Sequence, residues 1–386
     1  MALGIIACRE NVTAPGLCPE FCPGGNVEMR DTVLSSVITA DSSYQGYRFA
    51  HLAYRMQVAG PGGAGESRGL VSFFRFTAAY AGRDSTPTRT PIATDSFRLS
   101  FNLARRGPGT GLALLVYRLD GLPDSATTWD GVTPFFADTA LVGSIPIPDT
   151  LQHGEFSAAF PASAFPSFEP DSFGMAIGLR MVGATFVDLS TVDSLLTTIV
   201  TRYTRHDSAG TVVTRSETRG VLFDSFVSEP AAAGAGLRVG GVPAARVLLR
   251  ASVPTAIVDS AGVVRATLLL VPAQAAVGAP GDTFRIRVHA LGADFGAKSP
   301  LIEESSDTLS AGSTLVPVGS TDTLRIDVTQ VLQTWRTSPS LPRSMMLRLV
   351  PEAASAAALD VVPSTSATGQ PSLQVTYVSP YRFPGR

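Results

Sequence analysis

The stretch Asp322–Trp335, DTLRIDVTQVLQTW, decides the fold because its hydrophobic period changes partway along. Leu324, Ile326 and Val328 alternate with Arg325 and Asp327, as on a half-buried strand. Val328, Val331, Leu332 and Trp335 then fall at i, i+3, i+4 and i+7, the apolar stripe of two short helical turns, with Thr329 available as a cap. After Pro339 and Pro342 the chain returns to strand at Met345–Val350. A strand that runs into a short helix ending on a tryptophan is a device for closing a core, and it contains no catalytic constellation.

Working outward, the 386 residues exceed one ordinary core and suit two domains. Hydrophobic residues make up 45%, yet no run approaches the roughly 18 to 20 apolar residues that cross a bilayer as a helix. The 36 Gly and 28 Pro interrupt the chain every few residues, with Thr, Val, Ser and Phe between them, which is the pattern of an all-β protein with many short strands. A net charge of −2 leaves no basic footprint for nucleic acid. Almost all the positive charge is Arg, suited to planar ion pairs, with Lys298 the only lysine.

The N-terminal run Met1–Ala7 is by itself too short for a signal peptide, whose apolar core of about 7 to 15 residues follows a positively charged start. Ile5-Ile6-Ala7-Cys8 resembles a bacterial lipobox, which makes Cys8 a lipidation site and the assigned start internal to a longer signal; the alternative is a chance apolar start. Cys18 and Cys22 in GLCPEFCPGG have no neighbouring His or further Cys to complete a metal site, so a small disulfide loop in an oxidising compartment fits them. Residues 1–30 then form the lipobox-like start and a tether or docking arm.

Strand candidates begin at Thr32–Ala40 and Arg48–Val58 and continue to Thr197–Thr204, giving a first β-sandwich over 31–219. The second half repeats the first in order. Val247–Ala251 matches Leu70–Phe76, Val263–Pro272 matches Ser96–Leu103, and Thr283–Leu291 matches Leu112–Leu119. Ser313–Val318 parallels Ala140–Ile147, Met345–Val350 parallels Met175–Val182, and Ser372–Val378 parallels Thr198–Thr204. The deciding stretch has its counterpart at Glu155–Phe165, where EFSAAFPASAF again turns from alternation to a helix-like piece. The expectation is two tandem jelly-roll-like β-sandwiches, 31–219 and 220–386, with short helical insertions. Thr197–Arg205 and Thr211–Glu217 read as a hairpin near the junction.

Four pieces of the second half carry a family resemblance: DSFVSEPAAAGAGLRVGGVPAARVLLRASVP (Asp224–Pro254), VVRATLLLVP (Val263–Pro272), TLRIDVTQVLQTWRTSPSLPRSMMLRLVPE (Thr323–Glu352) and PSLQVTYV (Pro371–Val378). Together they resemble the DNRLRE domain, a bacterial β-sandwich of cell-surface and secreted proteins, some of whose relatives bind carbohydrate. Arg246–Ala251 departs from its signature, where an aromatic residue and an Asp are usual. The resemblance implies a non-enzymatic extracytoplasmic module and brings no binding residues with it. In its setting the chain is also similar to the β-rich periplasmic accessory subunit of Gemmatimonas-type photosynthetic reaction-centre and antenna complexes.

Chemistry is sparse. Gly65-Glu66-Ser67-Arg68-Gly69 matches the G-x-S-x-G nucleophile pattern, but a Gly-Pro loop precedes Ser67 and an alternating strand follows, where a nucleophile elbow needs a strand and then a helix. His51, His153, His206 and His289 are scattered without ligand spacing. Glu303-Glu304-Asp307 and Asp120, Asp124 and Asp130 offer oxygen ligands but no EF-hand, and read as solvated loops. No cofactor is expected. The segment SATTWDGVTPFF (Ser125–Phe136) places Trp129, Phe135 and Phe136 among turn formers. These rings either form an exposed loop, stacking on sugars or anchoring a partner, or fold back over the sandwich edge. The expected role is a lipid-anchored structural or interaction subunit of a membrane protein complex, engaging it through the N-terminal arm and a sandwich surface. A polysaccharide-binding or adhesion protein is the alternative, and a secreted hydrolase using Ser67 is the third.

Overall fold

The structure, a computed structural model, describes residues 29–61, 65–74, 79–81, 89–91, 93–165, 175–191, 197–206, 212–230, 234, 236–302 and 312–378. It is all-β, built of antiparallel sheets with few short helices. No helix among these residues is long and apolar enough to cross a membrane. The first strands are β1 (Met29–Leu34), β2 (Ile38–Gln45), β3 (Arg55–Ala59), β4 (Ser67–Phe73), β5 (Ala79–Ala81), β6 (Arg89–Pro91), β7 (Ala93–Arg106) and β8 (Ala113–Arg118). The helix α1 (Trp129–Val132) follows, then β9 (Leu141–Pro146), β10 (Gly154–Pro161), β11 (Ala176–Met181), β12 (Phe186–Ser190), β13 (Thr197–His206), β14 (Val212–Arg219) and β15 (Val221–Ser228). The remainder comprises β16 (Leu237–Gly240), β17 (Ala245–Ala251), β18 (Gly262–Leu270), β19 (Thr283–Ala290), β20 (Ser313–Pro317), β21 (Leu324–Asp327), helix α2 (Thr329–Thr337), β22 (Ser344–Val350), β23 (Ala358–Val361) and β24 (Ser372–Val378).

In the first half, strands run β14-β13-β7-β12-β3-β4-β11-β8-β9 in one sheet, with β10 on β7 and β15 on β4. Because β10 also lies beside β9, the sheet curls into a barrel-like body around Phe97, Phe101, Phe156, Phe160 and their aliphatic neighbours. In the second half the order β1-β24-β18-β21 faces β20-β19-β22-β17-β16-β23, with β2 added to β17. Leu268, Ile286, Leu347 and Trp335 lie in the core between them.

The pairings repeat from half to half. β8 pairs with β9 and β11 as β19 pairs with β20 and β22, β11 joins β4 as β22 joins β17, and β7 takes β10 and β13 as β18 takes β21 and β24. The deciding stretch behaves the same way in both. Strand β21 runs into α2 and buries Trp335 to 1% exposure, while β10 runs into a short 3-10 turn, Ala162–Ala164, and buries Phe165 edge-on against Phe97. The cap differs from expectation. Val328 occupies the N-cap position, Asp327 Oδ1 accepts the Thr329 N–H at 2.9 Å, and the Thr329 hydroxyl instead accepts the Ala266 N–H of β18 at 2.9 Å. The carboxylate before the helix thus satisfies a free amide, and Thr329 ties the helix to the sheet.

The expected boundaries at 30/31 and 219/220 are not where the sheets divide. Thr32–Ala40, expected as one strand, breaks at residues 35–37, and both pieces pair in the second half: β1 lies on β24 from Met29↔Val378 to Leu34↔Leu373, and β2 on β17 from Gln45↔Ala245 to Ile38↔Ala251. Reciprocally, the expected hairpin β13–β14 forms in the first half, and β15 continues from it along β4, from Val221↔Phe73 to Ser228↔Ser67. Strands β1 and β2 therefore occupy in the second body the places that β14 and β15 occupy in the first. The second body thus borrows β1 and β2 from the start of the chain while the first uses the strands that directly follow β13; an unpaired β4 or β17 edge would leave a row of backbone donors and acceptors without partners.

A buried ionic group locks the bodies together. Arg105 on β7 donates to Asp188 Oδ2 on β12 at 2.8 Å and to Asp282 Oδ1, just before β19, at 2.8 Å. Gln57 Nε2 on β3 reaches Asp188 at 3.2 Å and Asp282 at 3.0 Å, and its Oε1 accepts the Ala356 N–H. Gln57, Asp188 and Asp282 are almost wholly buried. Arg105→Ala leaves two buried carboxylates with no cation, and a loss of about 3 kcal/mol or more is expected, readable as a lowered denaturant midpoint. Deleting residues 29–45 is expected to abolish amide protection in β17 and β24 while β8 and β11 stay protected, as hydrogen exchange read by mass spectrometry will show.

Candidate functional site

The aromatic loop folds back over the outer face of the barrel-like sheet. Thr128 caps α1 by accepting the Gly131 N–H at 3.2 Å, and the Thr133 hydroxyl donates to the Trp129 carbonyl at 2.8 Å, which fixes the indole's backbone. The Arg68 guanidinium of β4 lies 4.0 Å from the Trp129 ring centroid and 4.7 Å from that of Phe136. Arg68 is itself held by Glu66 and Thr133, each at 3.2 Å. Phe136 is buried 4.9 Å from the Tyr117 ring and lies over Gly178, where a Cβ would come within 2.6 Å of its ring. Phe135 is half-buried and lines a separate cavity of about 360 Å³ beneath the same loop. Of the three rings read from sequence, Phe136 is thus a packing residue, and Trp129 stays half-exposed on a rigid support.

Trp129 stands at the lip of a cleft of about 430 Å³ where the two bodies meet. Asp124–Trp129 line it, as do Phe49 and His51 at a short 3-10 turn (Ala50–Leu52). Ser225–Pro230 line it from the end of β15, and Arg238 and Gly240–Pro243 from the second half. Arg238 donates to both oxygens of buried Asp360, at 2.8 Å each, and Gln274 adds a bond of 2.6 Å. Close backbone approach sets the end of the cleft, since a Cβ on Gly65 would overlap the Gly278 carbonyl. Phe49, His51, Arg238 and the β15 segment escaped sequence reasoning because they converge only when the halves dock.

Other candidates resolve individually. Ser67 is fully buried within β4, donating to the Gln57 carbonyl and accepting the Ala59 N–H, both at 3.0 Å, so its hydroxyl is used inside the sheet. His51 stacks between Phe49 and Phe223 at 5.9 Å from each, and His289 accepts from Arg348 at 3.1 Å. His153 is exposed at the start of β10 and His206 ends β13. Asp124 Oδ1 accepts from Ala126 N and the Thr127 hydroxyl, closing a turn, and Asp120 lies 3.6 Å from Arg118. No group of three side chains fit to hold a metal occurs among the described residues. Cys8, Cys18, Cys22, Glu303, Glu304 and Asp307 lie outside the described residues. No known family model matches the chain, and no curated protein matches it in sequence.

Burial also shifts the charges around the junction. It raises the Asp188 carboxyl, with Arg105 opposing. Burial alone pushes Asp224, beside the cleft segment of β15, up to about 6. Asp294, held by both Arg250 nitrogens and by Ser344, falls to about 2. For Asp224 the folded value exceeds the unfolded one, so its contribution to stability is complete below about pH 4 and is lost as pH rises through 6. Asp224→Asn is therefore expected to stabilise the protein by about 1–3 kcal/mol at pH 7.5 and to change little at pH 4, measured by thermal unfolding at both.

Proposed function

We propose that this chain is a non-enzymatic, extracytoplasmic lipoprotein that serves as a structural and interaction subunit on the outer face of a membrane protein complex. The observation that carries the proposal is an aromatic and apolar patch beside the cleft. Phe49, Leu52, Tyr54, Phe74 and Leu222 are each between 44% and 60% exposed. Phe49, His51 and Phe223, the neighbour of Leu222, stack in series, and the Phe74 N–H donates to the Gly220 carbonyl two residues before Leu222.

The patch is held in place before any partner arrives. Arg48 donates to the Leu52 carbonyl at 2.9 Å and covers the Tyr54 ring at 4.8 Å, so docking needs little further ordering. Clustered, exposed aromatic side chains mark protein interfaces more than solvated surface. The lipobox-like Cys8 supplies the membrane end of the reading and the N-terminal arm the tether. A photosynthetic reaction centre is the partner complex that the setting of the chain suggests.

Gentle detergent extraction of native membranes tests this. The wild-type chain is expected to migrate with a complex of integral membrane proteins. Leu52→Glu combined with Tyr54→Glu should release it from that complex without lowering its thermal midpoint, and Cys8→Ser should release it from the membrane fraction. Recovery of the wild-type chain alone would overturn the proposal.

A further inference from the structure

We propose that a second cleft at the junction, the one around Arg105, binds a phosphate group between arginines of the two bodies. It holds about 310 Å³, at the low end of the roughly 300–1,000 Å³ usual for small-ligand sites. Arg55 on β3, Arg105 on β7 and Arg285 on β19 line it, and Thr283 and Ser355 add hydroxyls. The sheet register accounts for this convergence. Asp188 of β12 is paired with Gln57 on one side and with Arg105 on the other, and Ser190 is paired with Arg55. Arg55 therefore shares the face of β3 from which Gln57 reaches Asp282. From the second body, Arg285 follows Asp282 closely and is paired with Leu315 of β20 and Val350 of β22, which line the cleft beside it.

The charges select an anion. Both carboxylates of the cleft are already engaged, since Arg105 donates to Asp188 at 2.8 Å and to Asp282 at 2.8 and 3.3 Å, and Gln57 donates to both. The Arg105 side chain still keeps 39% of its surface exposed, against 4% for Asp188 and 1% for Asp282, so its unused N–H groups are what the cleft presents. Arg55 and Arg285 are exposed, and neither has a carboxylate partner among the described residues. On the face of β19 that carries Arg285, Arg287 is paired with Arg348 of β22, and Arg348 shares Glu352 with Arg246. That row of guanidiniums adds to the positive potential at the cleft, and the buried Phe284, Leu349 and Ala354 give it an apolar wall that concentrates the field. A carboxylate has oxygens for one guanidinium fork, whereas a phosphate monoester has three strong acceptor oxygens and can be held by forks from more than one strand. The group recognised is the same whether the phosphate is free or is the headgroup of a lipid.

The test has two arms, both on the full chain at low ionic strength. In the first, inorganic phosphate is titrated by calorimetry, and saturable binding with a Kd of about 1 mM or tighter identifies a free phosphate as ligand. In the second, the chain is floated with phosphatidylcholine vesicles with and without phosphatidic acid, and flotation that needs phosphatidic acid identifies a headgroup. In whichever arm binding is seen, Arg55→Gln and, separately, Arg285→Gln are expected to weaken it about tenfold or more. Both side chains are exposed, so neither change should lower the thermal midpoint. Arg325→Gln, at an exposed arginine on β21 of the other sheet, should leave binding unchanged. Absence of binding in both arms, with phosphate taken to ~10 mM, overturns the inference. So does binding that survives both Arg55→Gln and Arg285→Gln, or that Arg325→Gln weakens as much as they do.

Discussion

The placement of the two N-terminal strands in the second body is the constraint on which the rest of the structure depends. Strand β17 is completed by β2 from the start of the chain, and β4 by β15 from its middle. The first body closes its β4 edge with the strand that follows β14, whereas the second takes the partner of β17 from the other end of the chain. The connection is therefore made of ladder hydrogen bonds and buried apolar residues, such as Val37 and Ile38 in the second core and Phe226 in the first. A hinge of ordinary linker residues would leave two bodies free to move. Here the chain crosses the junction between β2 and β3 and again between β15 and β16, and the strands flanking each crossing are parts of the sheets.

The Arg105 group acts on top of that placement. Two buried carboxylates, one guanidinium and one primary amide from both bodies fit only one relative placement. Such a group adds little net stability against its desolvation, and its use is to select a single docking geometry. Apolar packing does the same: Ala59 and Phe186 of the first body and Ala279 of the second form a miniature cluster across the junction. The cleft and the aromatic patch lie next to this fixed seam, so their rings are held at set distances without help from a ligand.

The arginines of the second body show how a strand-rich surface is kept single-valued. Arg246 makes two bonds of 2.6 and 2.7 Å to Glu352 and lies 4.1 Å from the Tyr47 ring, while Arg250 makes two bonds to Asp294. Each ties β17 to a loop elsewhere in the fold, and the planar fork of arginine makes that geometry specific in a way lysine cannot. Arg246 and Arg250 are thus side chains with clear structural partners.

Local pattern was enough for the all-β class, the strand-to-helix switch at Asp322–Trp335, its echo at Glu155–Phe165 and the burial of Trp335, because period and turn chemistry act over a few residues. The order of the repeat was legible for the same reason. The partner of a strand is a different matter. Nothing in DTVLSSVITADSSYQ says that it belongs to a body that begins some two hundred residues later, since an edge strand of either body needs the same alternation. The fate of Trp129, Phe135 and Phe136 was equally open in sequence, and Gly178, Arg68 and Tyr117 on other strands decided it. The sequence by itself determined what kinds of element form and in what order. Only the tertiary structure decided which body each edge completes and where the cleft opens, because those depend on contacts between residues far apart in the chain, for which no local period exists.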